Sequence, residues 1–246
     1  MTSPAFKVLA GVSGASLSSA ILALSPVGYW KLDESSGTTA TDSSGNGRNG
    51  TYSGTYTLQG RNGYATFNGG RVAVADNDNW TISTNSGMSM FALVYQDAAA
   101  TARKFIFSKG DAPTSWEWAL YTNASAVIES VGWDLNGNNR MGETITSAAA
   151  NGEWQAVAWA SPTYSASVRS SLYANSGTPL ASSLVTTAGA GSNQNLGAAV
   201  HIGWRADNPA SQGWTGAIAH AAIFPGRLTD ANVGTLMTAA AAEGWI

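Results

Sequence analysis

The 246-residue sequence contains no cysteine. Disulfide staples, thiolate metal sites and thiol nucleophiles are therefore excluded. Charge is also scarce: Asp, Glu, Lys and Arg make up 11% of the residues, against about 25% in ordinary soluble domains. The formal net charge is −3 and no run of Lys or Arg occurs, so the basic footprint that nucleic-acid binding requires is missing. The mostly apolar stretch Val8–Leu24 is interrupted by Gly11, Ser13, Gly14, Ser16, Ser18 and Ser19 and is not hydrophobic enough to cross a bilayer. No membrane insertion is expected. The G-x-S-x-G elbow, H-E-x-x-H and P-loop patterns are all absent. Only two histidines occur, His201 and His220, each within a predicted strand among small and apolar neighbours. A structural role suits them better than that of a general base. The few carboxylates are scattered, without a pair suited to glycoside hydrolysis. The chain reads as non-enzymatic.

Gly, Ser, Thr, Asn and Ala fill the space that charge leaves, while ten Trp and eight Tyr supply bulk. This is the composition of a turn-rich β-protein with neutral polar surfaces. The length suits one large all-β domain and permits a sizeable core. Val27–Tyr52 is the most informative stretch. It opens as a short strand with Trp30 and Leu32 on one face and Tyr29 and Lys31 on the other. A polar loop follows, in which Gly45, Gly47 and Gly50 suit tight turns. Tyr64–Phe67 and Arg71–Val74, joined by Asn68-Gly69-Gly70, predict a hairpin. Further strands are predicted at Met88–Tyr95, Lys104–Ser108, Ser115–Tyr121, Ala126–Trp133, Glu153–Ala160, Val168–Ala174, Ala199–Trp204 and Thr215–Phe224. Ser115–Tyr121 alternates cleanly, with Trp116, Trp118 and Leu120 on one side. Near the N-terminus a short helix is expected over Ala15–Leu24, stopped by Ser25-Pro26. At the other end Thr229 is placed to cap a helix whose Val233, Leu236, Met237 and Ala240 form one apolar face.

The form Y-W-x-L-D-E … D-x-S-G-N-G-x-x-G-T, carried by Tyr29, Trp30, Leu32, Asp33, Glu34, Asp42, Ser44, Gly45, Asn46, Gly47, Gly50 and Thr51, resembles the opening signature of the laminin-G-like (concanavalin A-like) jelly-roll family. Gly152–Ala160, Ser171–Pro179 and Gly216–Thr229 resemble its later motifs, although Ala219 and His220 replace the acidic pair of its closing motif. The resemblance covers about residues 26–232. It implies an all-β, two-sheet antiparallel jelly-roll sandwich over residues 26–228, preceded by an N-terminal arm and short helix (1–25) and followed by a C-terminal helix and tail (229–246). The E-x-D-x-x-E pattern of glucanases with this fold is absent here.

Three loops offer oxygen ligands of the kind calcium takes: Asp76 and Asp78; Asp134, Asn136 and Asn138; and the turn around Asp42 and Asn46. The same residues also make plain Asx turns, so both readings stay open. A structural Ca2+ is the only cofactor these loops suggest. Sugars stack on exposed aromatic rings and are fixed by neutral and polar groups. The candidates for such a site are Trp116, Trp133, Trp204 and Trp214, with Arg205, Asp207, Asn208 and Gln212 as polar partners; Trp80 and Tyr164 are further loop aromatics. Trp30, Trp118, Trp154 and Trp159 are expected in the core.

The arm, with Phe6, Val8, Leu9, Ile21, Leu22 and Leu24 as its apolar contacts, is expected either to clasp the sandwich or to dock into an assembly. An uncleaved N-terminus, the absence of a signal peptide and a charge-poor surface favour a bacteriophage virion accessory protein, a minor tail or capsid decoration protein. It would be synthesised in the host cytoplasm, bind other virion proteins through the arm and host cell-surface glycans through the sandwich, with homo-oligomers compatible. The rival readings are a free lectin-like module and a purely structural virion protein.

Overall fold

The computed structural model describes residues 15–60, 63–82, 87–97, 102–112, 115–133, 139–148, 151–162, 170–180, 182–186, 197–205 and 209–246. The strands are β1 (Gly28–Trp30), β2 (Thr39–Ala40), β3 (Gly50–Ser53), β4 (Tyr56–Leu58), β5 (Ala65–Asn68), β6 (Arg71–Val74), β7 (Met88–Gln96), β8 (Lys104–Ala112), β9 (Ser115–Thr122), β10 (Val127–Trp133), β11 (Asn139–Ala148), β12 (Trp154–Ser161), β13 (Ser171–Ala174), β14 (Ser182–Thr186), β15 (Val200–Ile202) and β16 (Thr215–Pro225). The helices are α1 (Leu17–Ala23), a single turn α2 (Pro209–Gln212) and α3 (Asp230–Ala242). Two antiparallel sheets form the expected sandwich. One has seven strands in the order β13-β12-β7-β16-β5-β4, with β1 also on β16. The other has nine, β14-β11-β10-β9-β8-β15-β6-β3-β2.

Strand alternation sorts side chains between two cores. Trp30, Met90, Ala92, Val94, Trp118, Leu120, Trp159 and Ile218 point between the sheets. Phe91, Leu93, Ala156, Ala158, Ala160, Ala217, Ala219 and Ala222 point to the other side of the seven-stranded sheet, where α1 and α3 cover them. The alanines keep that surface low enough for the helices to lie close. The sandwich therefore carries a third, helical layer on one face. Trp154 belongs to this outer layer, half-buried against Tyr64 and Trp245, and not to the core between the sheets expected for it, because it alternates with Trp159 along β12.

α3 begins as expected: Thr229 caps it, with Asn232 completing a reciprocal capping box. Val233, Leu236, Met237 and Ala240 are its buried face. α1 is capped by Ser16 and buries Leu17, Ala20 and Ile21. Ile21 is fully enclosed by its own chain, so it is unavailable for docking. Leu22 remains 42% exposed and Leu24 half-exposed. Phe6, Val8 and Leu9 lie outside the described residues. The described end of the arm is thus a clasp.

The predicted hairpin at Asn68-Gly69-Gly70 is a corner between sheets. β5 pairs with β4 and β16, whereas β6 pairs with β3 and β15. Gly70 turns this corner against Thr55, whose carbonyl would lie 2.4 Å from an added Cβ. Among the described residues, five strands have no counterpart in the predicted ones: β2, β3, β4, β11 and β14.

The signature loop folds around Asp42. Its Oδ1 accepts the backbone N–H groups of Tyr29 (3.1 Å) and Ser44 (2.9 Å), and its Oδ2 accepts that of Arg48 (2.8 Å). Burial alone would raise the carboxyl pKa, but these bonds and that of the Ser44 hydroxyl hold it below the ordinary value. Trp30 Nε1 donates to the Arg48 carbonyl and Asn46 Nδ2 to the Pro26 carbonyl. The motif is thus a brace that closes one end of the sandwich. Replacing Asp42 by Ala strands three backbone donors and should cost about 3 kcal/mol of unfolding free energy. Urea denaturation of the variant measures this, and a loss below about 1 kcal/mol would contradict the brace.

Candidate functional site

The nine-stranded sheet turns Phe105, Ala119, Tyr121 and Val131 away from the core between the sheets, as the alternation of β9 requires. Phe105 and Tyr121 stack with centroids 5.0 Å apart. Guanidinium groups cover these rings and Trp204: Arg205 lies 5.6 Å from the Phe105 centroid, Arg103 lies 5.3 Å from Tyr121, and Arg71 lies 5.3 Å from Trp204. Trp204 is only 5% exposed. Its ring rests on Gly213, where an added Cβ would come within 2.7 Å of it, so a side chain at position 213 would displace it. α2 anchors the edge: Gln212 accepts from Arg205 Nη1 at 3.0 Å, and Lys104 Nζ donates to the Ser211 carbonyl at 3.0 Å. Glu129 accepts from Asn123 Nδ2 at 2.8 Å and raises the Tyr121 pKa beyond what burial does, by its charge and a hydrogen bond.

His201 lies on this same face, paired with Ala73 and Ser108, and Arg71 is the next outward residue along β6. Burial, aided by the Arg71 charge, lowers its pKa to about 4, so it is neutral at neutral pH. Its Nδ1, Arg71 Nε and Trp204 Nε1 are buried without hydrogen-bond partners.

The structure thus brings Trp204, Arg205 and Gln212 together, as the sequence reading expected, but not as an exposed aromatic platform. Trp214 is fully buried between the sheets and donates to the Tyr95 and Ala217 carbonyls at 3.2 Å each; it is a core residue. Trp80 is likewise buried, against Trp30. Trp116 and Trp133 occupy β9 and β10, and their side chains fall outside what is described. Asp207, Asn208 and Tyr164 also lie outside the described residues. Arg71, Arg103, Phe105 and Tyr121 were not singled out from the sequence. Arg103-Lys104-Phe105, a basic pair opening a strand in a charge-poor chain, was the available signal.

The calcium reading does not fit at Asp76. Its Oδ1 takes the Lys109 ammonium at 3.0 Å, and Lys109, fully buried, also pairs with Glu117. A protein cation already meets this carboxylate. Asp78 opens an exposed 3-10 turn with no other acidic side chain in a ligand cluster. Asp42 spends its oxygens on backbone N–H groups. Asp134, Asn136 and Asn138 lie outside the described residues. Among the described residues no group of three His, Asp or Glu could hold a metal.

His220 lies in the helical layer instead. It occupies a bulge of β16 with φ 49°, and its Nδ1 is 2.6 Å from the Tyr29 hydroxyl, which meets Ser18 of α1 at 2.7 Å. Burial, with the Lys31 charge, lowers its pKa to about 4 as well. This hydrogen-bonded series pins α1 to the sheet.

No family model matches the sequence, and no curated protein matches it. Solved structures do share the fold. Domain 4 of AbnA, an extracellular arabinanase from Geobacillus stearothermophilus solved with arabinotriose, matches over 86% of this chain and 98% of its own, with 21% identity and a TM-score of 0.57. The receptor-binding domain of botulinum neurotoxin mosaic serotype C/D matches over 89% of this chain at 14% identity and TM-score 0.64. Trypanosoma rangeli sialidase, solved with sialic acid, matches over 87% at 15% identity and TM-score 0.62. This chain spans about half of the toxin domain, at 51%, and about a third of the sialidase, at 32%. At these identities the likeness is one of fold.

Both histidines take up protons more readily in the unfolded chain, near 6.5, than in the folded one, near 4. Their neutral forms stabilise the fold above about pH 6.5, and that contribution, up to roughly 3 kcal/mol each, is lost as pH falls towards 4. A variant with His201→Gln and His220→Gln should show a flatter dependence of unfolding free energy between these pH values. A wild-type slope retained in the double variant would contradict the assignment.

Proposed function

We propose that this chain is a non-enzymatic glycan-binding module of a bacteriophage virion, in the tail or as a capsid decoration, that adheres to the host surface. The observation that carries the binding reading is the cluster of Arg71, Arg103 and Arg205 over Trp204, Phe105 and Tyr121, a polar face built on a rigid sheet. The fold supports it: solved structures that share it include an arabinanase domain with arabinotriose bound. The three-layer architecture supports the display reading. α1 and α3 cover the far side of the seven-stranded sheet, two sheet layers from the arginines. Residues 1–14 precede α1 in the chain, and Leu22 of α1 is exposed. Attachment through that side leaves the arginine face outward.

Two measurements test this. The purified full chain should be retained on host-surface polysaccharide, and the triple variant Arg71→Gln, Arg103→Gln, Arg205→Gln should wash off while unfolding as cooperatively as wild type; equal retention would contradict the site. On particles, deleting residues 1–14, which spares the core residues of α1, should abolish incorporation as read by immunogold labelling. Normal labelling of particles carrying the deletion would contradict docking through the arm.

A further inference from the structure

We infer that the arginine-covered face selects acidic saccharides, those carrying a carboxylate or sulfate, over neutral ones; this rests on the glycan-binding reading above. Neutral sugars are held largely by ring stacking on open aromatic faces. Here Trp204, Phe105 and Tyr121 are buried at 5%, 2% and 7% exposure, and each carries a guanidinium on its ring. The arginines themselves reach solvent, Arg71 and Arg205 half-exposed and Arg103 exposed. A guanidinium held over a ring keeps its charge and its planar fork of N–H donors, and that fork matches the two oxygens of a carboxylate or sulfate.

The hydrogen-bond inventory points the same way. Arg71 Nε and Trp204 Nε1 can only donate, and both are buried without a partner, beside His201 Nδ1 in the same condition. Buried donors left unmet are costly, so such a group marks a place that an acceptor completes. Arg71 is half-exposed, and among the described residues it makes no ion pair; its charge is available to a ligand. The carboxylate described on this face, Glu129, sits at the Tyr121 end, away from β6 and β15, and is already bonded to Asn123 and Tyr121. In a chain with twelve Lys and Arg in 246 residues, three guanidiniums share this one sheet face.

The experiment is titration calorimetry of the full chain with saccharides of matched size. The neutral probes are arabinotriose and maltotriose; the acidic probes are sialyllactose, trigalacturonate and a sulfated disaccharide; poly-glutamate serves as a non-sugar anion. The acidic probes should bind at least about tenfold more tightly than the neutral ones, and that advantage should shrink as salt rises from about 0.05 M to about 0.5 M. Arg71→Gln should erase the advantage, and Arg71→Lys, which keeps the charge but loses the fork, should erase most of it. The salt series on wild type and the exposed-site variant Arg103→Gln keep the test open should Arg71 variants fold poorly. Equal affinity for neutral and acidic probes overturns the selectivity and leaves glycan binding standing. Acidic binding indifferent to the arginine variants overturns this face as its site. Binding of poly-glutamate as tight as that of the acidic sugars reduces the face to bare charge and overturns the proposal. No binding of any saccharide overturns both readings.

Discussion

The seven-stranded sheet is apolar on both of its faces, and that constraint shapes the molecule. β7 is buried along almost its whole length, and β16 along all but its ends. A sheet of this kind must be covered twice. The nine-stranded sheet covers it once, through Trp118, Leu120 and their neighbours; α1 and α3 cover it again, over a floor of alanines. Covering the second face with helices is what draws the N-terminal segment back onto the sandwich. It also leaves the outward side of the nine-stranded sheet as a broad face with polar side chains to offer.

Charge is distributed in keeping with that division. Where ions enter the interior they are matched within the protein. Lys109 sits against Asp76 and Glu117, and Asp42 against three backbone N–H groups. The arginines of the outward face lie over aromatic rings, an arrangement that attracts the cations without neutralising them. Buried pairs of the first kind hold loops in register, whereas ring-held cations of the second kind remain able to meet a ligand.

Much of the sandwich could be read from the chain itself. The turn-rich signature around Asp42, the alternation of Trp118 and Leu120 with Ala119 and Tyr121, and the apolar face of α3 all depend on neighbours within a few residues, and all hold in the structure. Other features depend on partners far along the chain. The Asn68-Gly69-Gly70 turn has hairpin chemistry, yet only the distant strands β16 and β15 decide that it crosses between sheets. β11 sets Met141 and Ile145 among Asn, Arg, Gly, Glu, Thr and Ser and shows too weak an apolar alternation to mark a strand. Trp204 and Trp214 flank the same short helix, but Gly213 and Arg71 enclose one while Tyr95 and Ala217 bind the other inside. The arginine cluster joins positions 71, 103 and 205, which no local pattern connects.

The claim that the outward face of the nine-stranded sheet is the binding surface is tested most directly by mapping backbone amide chemical shifts as a host-surface polysaccharide is added to the full chain. The account predicts shifts centred on β6, the start of β8 and the end of β15, around Arg71, Arg103 and Arg205. Shifts centred on α1 and α3, or spread without a focus, would contradict it.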